Sequence, residues 1–191
     1  MGLGPYALTN FTAASSMFGY LADQQTRIEK IIEIATARIE KYTRRRLKER
    51  TYTDIVLDGP GGSVLMLPEY PISSIISIIP DSGRTFDAGG ALDASSYLLY
   101  SDCGSLTLLN GSWPSVPGSI KVSYVAGYGE DHEDYPILEG ACLAMVQWLH
   151  TRFTGYIGKR SETNADGMNV GYEIEMPLDV QRDLERFVRY V

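Results

Sequence analysis

The 191-residue sequence has little cysteine, no long apolar run and no excess of basic residues. Its two cysteines, Cys103 and Cys142, lie far apart in different contexts, which excludes a disulfide framework and the usual spacing of zinc ligands. We therefore expect reduced thiols. Because no stretch of about 18 apolar residues occurs, we predict no membrane span. The N-terminus lacks a basic start and an apolar core, so we expect no signal peptide.

The residues that most enzymes and metal sites require are also scarce. Only His132 and His150 are available as bases for a nucleophile, and no Gly-x-Ser-x-Gly turn is present. Residues 59–62 are glycine-rich, but no Lys-Ser/Thr follows them to bind phosphate. The acidic tract 130–134 is the one candidate metal site, yet consecutive side chains do not converge on one ion, and acids before a helix N-terminus are favoured electrostatically. We predict no catalytic activity, no cofactor and no metal.

Charge narrows the possible partners. The chain has 17 Lys and Arg against 24 Asp and Glu, a net charge of −7, which argues against a tight, sequence-independent grip on DNA. Basic residues nevertheless cluster at 44–50, with three consecutive arginines followed by Lys48 and Arg50. Two interpretations remain open: a solvated helix end that complements the helix dipole, or a patch that touches phosphate or an acidic partner.

Apolar residues at helical spacing predict the helices. A short helix is expected within 9–21, capped by Asn10 or Thr12 and ended by Gly19. Asp23 is predicted to cap a long helix that runs into the arginines at 44–46. Another long helix begins near Pro136 and has Cys142 in its apolar stripe, so we interpret this cysteine as a small core residue. The last helix is predicted to start at Pro177.

The central part of the chain has the pattern of short strands. Residues 51–57 and 63–67 are predicted to form a hairpin over the turn at 58–62. The prolines at 68 and 71 make residues 67–72 a rigid, extended crossover to the next strand, 72–79. That strand lacks clean alternation, which predicts cover on both faces. Three further strands are expected, over the ranges 97–100, 105–109 and 120–126.

Together these elements predict an α+β fold: a small helical bundle with an inserted antiparallel β unit of about six short strands. The expected organisation has three parts. They are a loosely ordered N-terminal segment at 1–22, a helical connector body at 23–50 and 135–191, and an antiparallel β module at 51–130.

The ordered set of sequence elements resembles the head–tail connector (adaptor, head completion) proteins of long-tailed phages and prophages. The matching strings are Ile34–Thr43 leading into Arg45-Arg46-Leu47, Leu67–Ile72 with Ser74-Ile75, Gly111–Pro114, Ile120–Tyr128, and the helix Leu138–Phe153. Arg44 is a departure, because the family commonly has Gly after Tyr-Thr. The segment before Asp23 looks little like the family's first helix.

The resemblance implies a structural virion protein that is not an enzyme. Such proteins form a ring, typically of twelve subunits, beneath the portal, where they join the capsid to the tail and extend the DNA channel. The implied partners are other copies of the chain, the portal protein, a stopper or tail completion protein, and double-stranded DNA that passes without sequence-specific binding. The implied location is the virion neck, after synthesis in the host cytoplasm, with no membrane partner.

The alternative function is a nucleic-acid-binding packaging accessory that uses the basic residues at 44–50. For the connector, the last helix and the glycine-rich loop 155–176 are the expected contacts to the portal, and we expect the loop to be mobile before assembly and ordered after it. The predicted partner-interface residues are Arg44, Arg45, Arg46, Tyr156, Lys159, Arg160, Arg186, Phe187, Arg189 and Tyr190.

Overall fold

The computed structural model describes residues 2–156, 161–163, 169–171 and 176–189, with side chains at 2–155 and 176–189. The helices are α1 (Phe11–Phe18), α2 (Gln25–Thr43), α3 (Tyr135–Thr151) and α4 (Leu178–Leu184). The strands are β1 (Arg50–Leu57), β2 (Val64–Met66), β3 (Ile72–Pro80), β4 (Tyr97–Tyr100), β5 (Ser105–Leu108), β6 (Ile120–Ala126), β7 (Ser161–Thr163) and β8 (Asn169–Gly171). The predicted α+β fold is confirmed.

The chain forms two compact units. Residues 1–47 and 130–191 make one, the helical unit, and residues 48–129, inserted between them, make the other, the β unit. In the helical unit the apolar stripes of the helices face one another. The buried members include Ile28, Ile31, Ile32, Ala35 and Ile39 of α2, Leu138, Cys142, Met145 and Leu149 of α3, and Val180 and Leu184 of α4. Each fully buried Leu or Ile side chain contributes about 1.5–3 kcal/mol, so these stripes hold the unit together.

The ends of the helices differ in how well the sequence predicted them. Around α1 the prediction is confirmed: the Asn10 side chain accepts a hydrogen bond from the Ala13 N–H at 2.9 Å, and Gly19 ends the helix in the left-handed conformation. The predicted Asp23 cap of α2 is wrong. Gln24 Oε1 accepts the Leu21 N–H at 3.1 Å, which closes a separate 3₁₀ turn that contains Asp23, and α2 starts after that turn.

The N-terminal segment is packed rather than loose. Leu8 is fully buried, and its backbone N–H donates to Thr36 Oγ1 at 3.3 Å while its carbonyl accepts from the Tyr135 hydroxyl at 3.0 Å. The neighbouring Thr9 hydroxyl donates to Glu139 at 3.1 Å. These bonds reach both α2 and α3, so the expected loose order of residues 1–22 does not describe this part of the segment.

The β unit consists of two three-stranded antiparallel sheets, with strand orders β1-β6-β3 and β2-β5-β4. Their inward side chains share one core, which contains Ile78 and Tyr124 from the first sheet and Leu106 from the second. Trp113, from the connection between β5 and β6, is 1% exposed, and its indole N–H donates to the Ser63 carbonyl at 2.9 Å. This residue therefore fills the core and also fixes the start of β2.

The predicted hairpin of residues 51–57 with residues 63–67 is wrong, because β1 pairs with β6 and β2 pairs with β5. The glycine-rich turn between them binds the connection before β6: the Gly59 and Gly61 N–H groups donate to the Val116 and Pro114 carbonyls at 3.0 and 3.1 Å. A Cβ at Gly59 would lie 2.0 Å from the Pro114 carbonyl oxygen, so only glycine fits. The turn sends its two strands into different sheets instead of joining them.

The surroundings of strand β3 differ from those that the sequence predicted. It is an edge strand, and Ile76 is exposed, so the expected cover on both faces is wrong. The broken alternation comes from two register shifts, between Ile72 and Ser74 and between Ile75 and Ser77, each of which moves the following side chains to the other face. The preceding crossover 67–72 links strands of different sheets and contains a cis Tyr70–Pro71 peptide.

Candidate functional site: surfaces of the helical unit

The three consecutive arginines do not form one basic patch. Helix α2 ends at Thr43 because exposed Arg44 adopts the left-handed conformation, with φ 57°. Arg45 is buried, with 6% of its surface exposed. Arg46 is exposed and pairs with Glu40 at 2.7 Å, and Glu40 also accepts the Leu47 N–H at 3.2 Å. The predicted helical run through 44–46 is therefore wrong, and the three side chains have three different environments.

The predicted interface residues near the C-terminus also lie in different environments. Arg186 is half exposed and pairs with Asp134 at 2.7 Å. Phe187 is buried in the core, whereas the Arg189 backbone N–H donates to the Thr43 carbonyl at 3.0 Å. Four other predicted side chains lie outside the described residues, as does most of the loop 155–176. They are Tyr156, Lys159, Arg160 and Tyr190.

The acidic tract 130–134 begins helix α3. Asp134 is engaged by Arg186, and His132 Nδ1 accepts the Asp134 N–H at 3.1 Å. Among the side chains that the structure describes, no three or more His, Cys, Asp or Glu residues are grouped so that they hold a metal ion. The tract therefore acts in this unit as a turn before a helix, with Asp134 paired to Arg186.

Burial disfavours the charged form of two side chains in the helical unit, Cys142 and His150. Burial raises the pKa of the Cys142 thiol to about 12, and its sulfur lies 3.9 Å from Thr36 Oγ1. Burial, with a further contribution from nearby Arg27, lowers the pKa of His150, which also makes an edge contact with Tyr20 at 4.9 Å. A reactive cysteine needs the opposite shift, so this environment suits packing rather than nucleophilic chemistry.

A shallow apolar groove lies on the outward face of α3, between the end of α1 and the start of α4. Its volume is about 540 Å³. Its lining consists of Met17, Phe18, Gly140, Ala144, Gln147, Trp148, Pro177, Asp179 and Val180. At its margin Met17 is 62% exposed and Leu178 is 60% exposed. We call this surface the groove.

Two cations stand at the edge of the groove. The guanidinium carbons of Arg38 and Arg152 lie 5.9 and 4.9 Å from the centre of the Trp148 ring. Sequence reasoning predicted the apolar face of α1, but it missed the groove. The small residues Gly140 and Ala144, four positions apart on the outward face of α3, are the only local signal, because the walls come from distant helices.

The β unit exposes a second apolar surface, on the sheet β2-β5-β4. Cross-strand partners place Val64 with Leu98 in one row across β5, and Met66 with Tyr100 in the next. All four side chains are exposed, on the face opposite to Leu65 and Leu106, which are buried. In each row a polar residue of β5 lies between the two apolar side chains, and this face is a candidate surface for contact with other proteins.

The buried thiol of Cys142 is held neutral, and apolar side chains are exposed on both units, as is typical of structural proteins that act by binding other proteins. Residues 17–182 match the family model of the head completion proteins, and the chain belongs to that family. The predicted resemblance and the predicted structural role at the head–tail connection of the virion are confirmed. No helix among the described residues is long and apolar enough to cross a membrane.

Solved structures with the same fold come from gene transfer agent (GTA) particles. A chain from the neck of an empty particle, computed with C6 symmetry, is 15% identical and has a TM-score of 0.63, with 100% of this chain and 94% of that chain covered. A chain from the neck of a native particle, computed with C12 symmetry, is 16% identical and has a TM-score of 0.60, with 100% of this chain and 95% of that chain covered. A chain from the virion of a native particle is 17% identical and has a TM-score of 0.61, with 100% of this chain and 94% of that chain covered. No curated protein sequence matches significantly.

Proposed function

We propose that this protein forms a ring beneath the portal in the virion neck, where it joins the capsid to the tail and extends the DNA channel. The observation that carries the proposal is the family match over residues 17–182. The full-length likeness to neck chains of particles computed with C6 and C12 symmetry supports a ring of twelve copies. The ring has no catalytic role, in keeping with the neutral thiol of Cys142.

The proposed partners are the portal protein on one side, a stopper or tail completion protein on the other, and double-stranded DNA in the channel. A net charge of −7 suits a channel that DNA slides through without a tight grip. The packaging-accessory alternative receives no support from residues 44–50, since Arg45 is buried and Arg46 is paired with Glu40.

The helical unit is proposed as the ring wall, and its C-terminal part as a contact to the portal. Exposed Arg44, Arg46 and Arg186 remain in the proposed partner surface, together with Arg189. The same proposal covers Tyr156, Lys159, Arg160 and Tyr190. Arg45 and Phe187 are left out, because a side chain that is buried within its own chain offers little surface to a partner.

Electron microscopy of the protein mixed with its portal protein tests the proposal. We expect an added ring on one end of the portal, with the portal alone and the protein alone as controls. Portal particles that stay unchanged at saturating protein would contradict it. In parallel, duplex DNA is titrated at several salt concentrations. Tight, strongly salt-dependent binding would favour the packaging accessory instead.

A further inference from the structure

We propose that the groove is the surface by which each copy of this chain receives the next copy in the ring. The part received is the end of the helical unit at the N-terminus of α3, which we call the acidic end and define by Asp131, Glu133 and Pro136. The inference rests on the proposed ring, and it names the surfaces that hold neighbouring subunits together.

The apolar character of the groove supplies the first argument. Met17 and Leu178 are each at least 60% exposed, and both stand where a neighbouring chain would cover them. The floor at Gly140 and Ala144 carries almost no side chain, so a partner's backbone can approach α3 closely. Covering this apolar surface removes it from water, which favours association of the two copies.

Charge complementarity selects the occupant. Arg38 and Arg152, held over Trp148, make one edge of the groove cationic. The matching surface of a second copy is available at the acidic end, where Asp131, Glu133 and Pro136 are all exposed. Asp134 is not part of it, because Arg186 of the same chain already pairs with that carboxylate at 2.7 Å.

The position of the two surfaces on one helix determines the kind of assembly. Helix α3 has 17 residues, which at 1.5 Å per residue is about 25 Å. The acidic end lies at the start of this helix, and Trp148 and Arg152 lie at its C-terminal end. Two different patches that bind each other make a head-to-tail contact, which continues beyond a dimer and gives a ring when the rotation between neighbouring copies closes.

The two contributions have different roles. Exposed ion pairs contribute little because water and salt screen them, so the arginines do not hold the subunits together by themselves. They set the register of the contact and speed the encounter, whereas the apolar side chains slow dissociation. Mutations of the two kinds therefore have separable effects.

The first experiment compares Met17→Glu and Leu178→Glu with Leu109→Glu. All three replaced side chains are more than half exposed, but Leu109 belongs to the β unit and to neither exposed apolar surface. Self-association is measured by sedimentation velocity and ring counts in electron micrographs, and folding by circular dichroism. We expect the two groove variants to weaken association by about tenfold or more, since a carboxylate must be desolvated in the contact, and Leu109→Glu to leave it unchanged.

The second experiment tests the pairing of the surfaces. Arg152→Glu and Asp131→Arg are each expected to slow assembly, and the double variant is expected to restore it. Met17→Cys with Asp131→Cys, in a Cys103→Ser background, is treated with a short bismaleimide. Head-to-tail contact predicts a ladder of covalent multimers beyond the dimer, and neither single-cysteine variant should give one.

The outcomes separate this inference from the proposed function. Rings that persist in Met17→Glu and Leu178→Glu, without a crosslinked ladder, would overturn the inference and leave the ring intact. A ladder that stops at the dimer would also overturn it, because it indicates a two-fold contact. If the wild-type protein forms no ring, alone or on the portal, the proposed function fails and the inference fails with it.

Discussion

The helical unit and the β unit are stabilised in different ways. The helical unit depends on apolar stripes along a few long elements, and α2 and α3 alone contribute 19 and 17 residues. The β unit depends on short strands whose connections make specific polar contacts: Trp113 binds the Ser63 carbonyl, and Asp58 accepts the Gly118 N–H at 2.7 Å. In the helical unit the fold follows from the helical spacing of the apolar residues. In the β unit the contacts made by the loops determine which strands pair.

The largest expected difference between the units is in thiol reactivity. Cys142 in the helical unit is fully buried with a pKa of about 12, whereas Cys103 in the β unit is exposed. Because an ordinary thiol has a pKa of about 8.5, the thiolate fraction of Cys142 is lower by about a thousandfold, and its reaction with a disulfide reagent should be slower by at least that factor. The measurement is reagent kinetics at neutral pH. In Cys103→Ser the fast phase should vanish; a fast phase that survives there would mean that the helical core opens readily.

Core truncation tests whether each unit depends on its own buried aromatic residue. Phe187→Ala and Trp113→Ala each remove a ring that is 1% exposed, so each should lower the free energy of unfolding by about 3–5 kcal/mol. Urea unfolding measures the loss, and hydrogen exchange shows where protection falls: α2 and α3 for the first, β6 for the second. The matched control is Leu109→Ala, an exposed site expected to change stability by less than about 0.5 kcal/mol. A loss as small as the control's at either aromatic position would remove that residue from the core.

Each unit contains an exposed arginine whose backbone lies in the strained left-handed region. Arg44 has φ 57° and Arg84 has φ 60°, conformations that cost an L-residue about 1–2 kcal/mol and glycine almost nothing. We expect Arg44→Gly and Arg84→Gly each to raise the free energy of unfolding by about 0.5–1 kcal/mol, after glycine's larger unfolded-state entropy is subtracted. Arg44→Ala and Arg84→Ala are the controls, because alanine keeps the strain. If the alanine variants were stabilised equally, loss of charge rather than strain would be the cause.

The smallest expected effect is on the stability of the protein at low pH. The pKa of Asp81 in the β unit is lowered to about 2, because its carboxylate accepts hydrogen bonds from the Thr85 hydroxyl and from the N–H groups of Phe86, Gly83 and Thr85. The unfolded value is about 3.9, so the unfolded chain binds more protons between these values. The stabilisation is therefore complete above about pH 4 and is lost as the pH falls toward 2. Thermal melting across this range should drop less steeply in Asp81→Ala than in the wild type or in the loop control Ser82→Ala. Equal slopes in all three would show that this loop does not contribute.

The same contrast explains how much of the molecule could be predicted from the sequence. The stripes of α2 and α3 were found because helical periodicity is local. The pairing of β1 was not, because its partner lies in a distant part of the chain: the Asp54 N–H, for example, donates to the Ser123 hydroxyl across 69 positions. The alternation in β3 was misread because bulges change its phase.

The candidate surfaces could likewise be predicted only where they depend on local sequence. The arginines at 44–46 were visible in the sequence, but their separation into exposed, buried and paired side chains depends on the left-handed turn at Arg44. The groove requires side chains from α1, α3 and α4 at once, so no single stretch indicated it. Only contacts among sequence-distant elements define it, and a local pattern carries no information about those.

The insertion of the β unit between the two parts of the helical unit has a consequence during synthesis. Helix α2 ends at Thr43 and its main packing partner, α3, begins at Tyr135. About 90 residues must be translated in between, which takes on the order of 5–20 seconds at ~5–20 residues per second. During that interval α3 is not there to cover the isoleucines of α2, and every strand of the inserted unit is translated before α3 begins. All of the β unit is therefore synthesised before the helical unit, which contains the N-terminus, is complete.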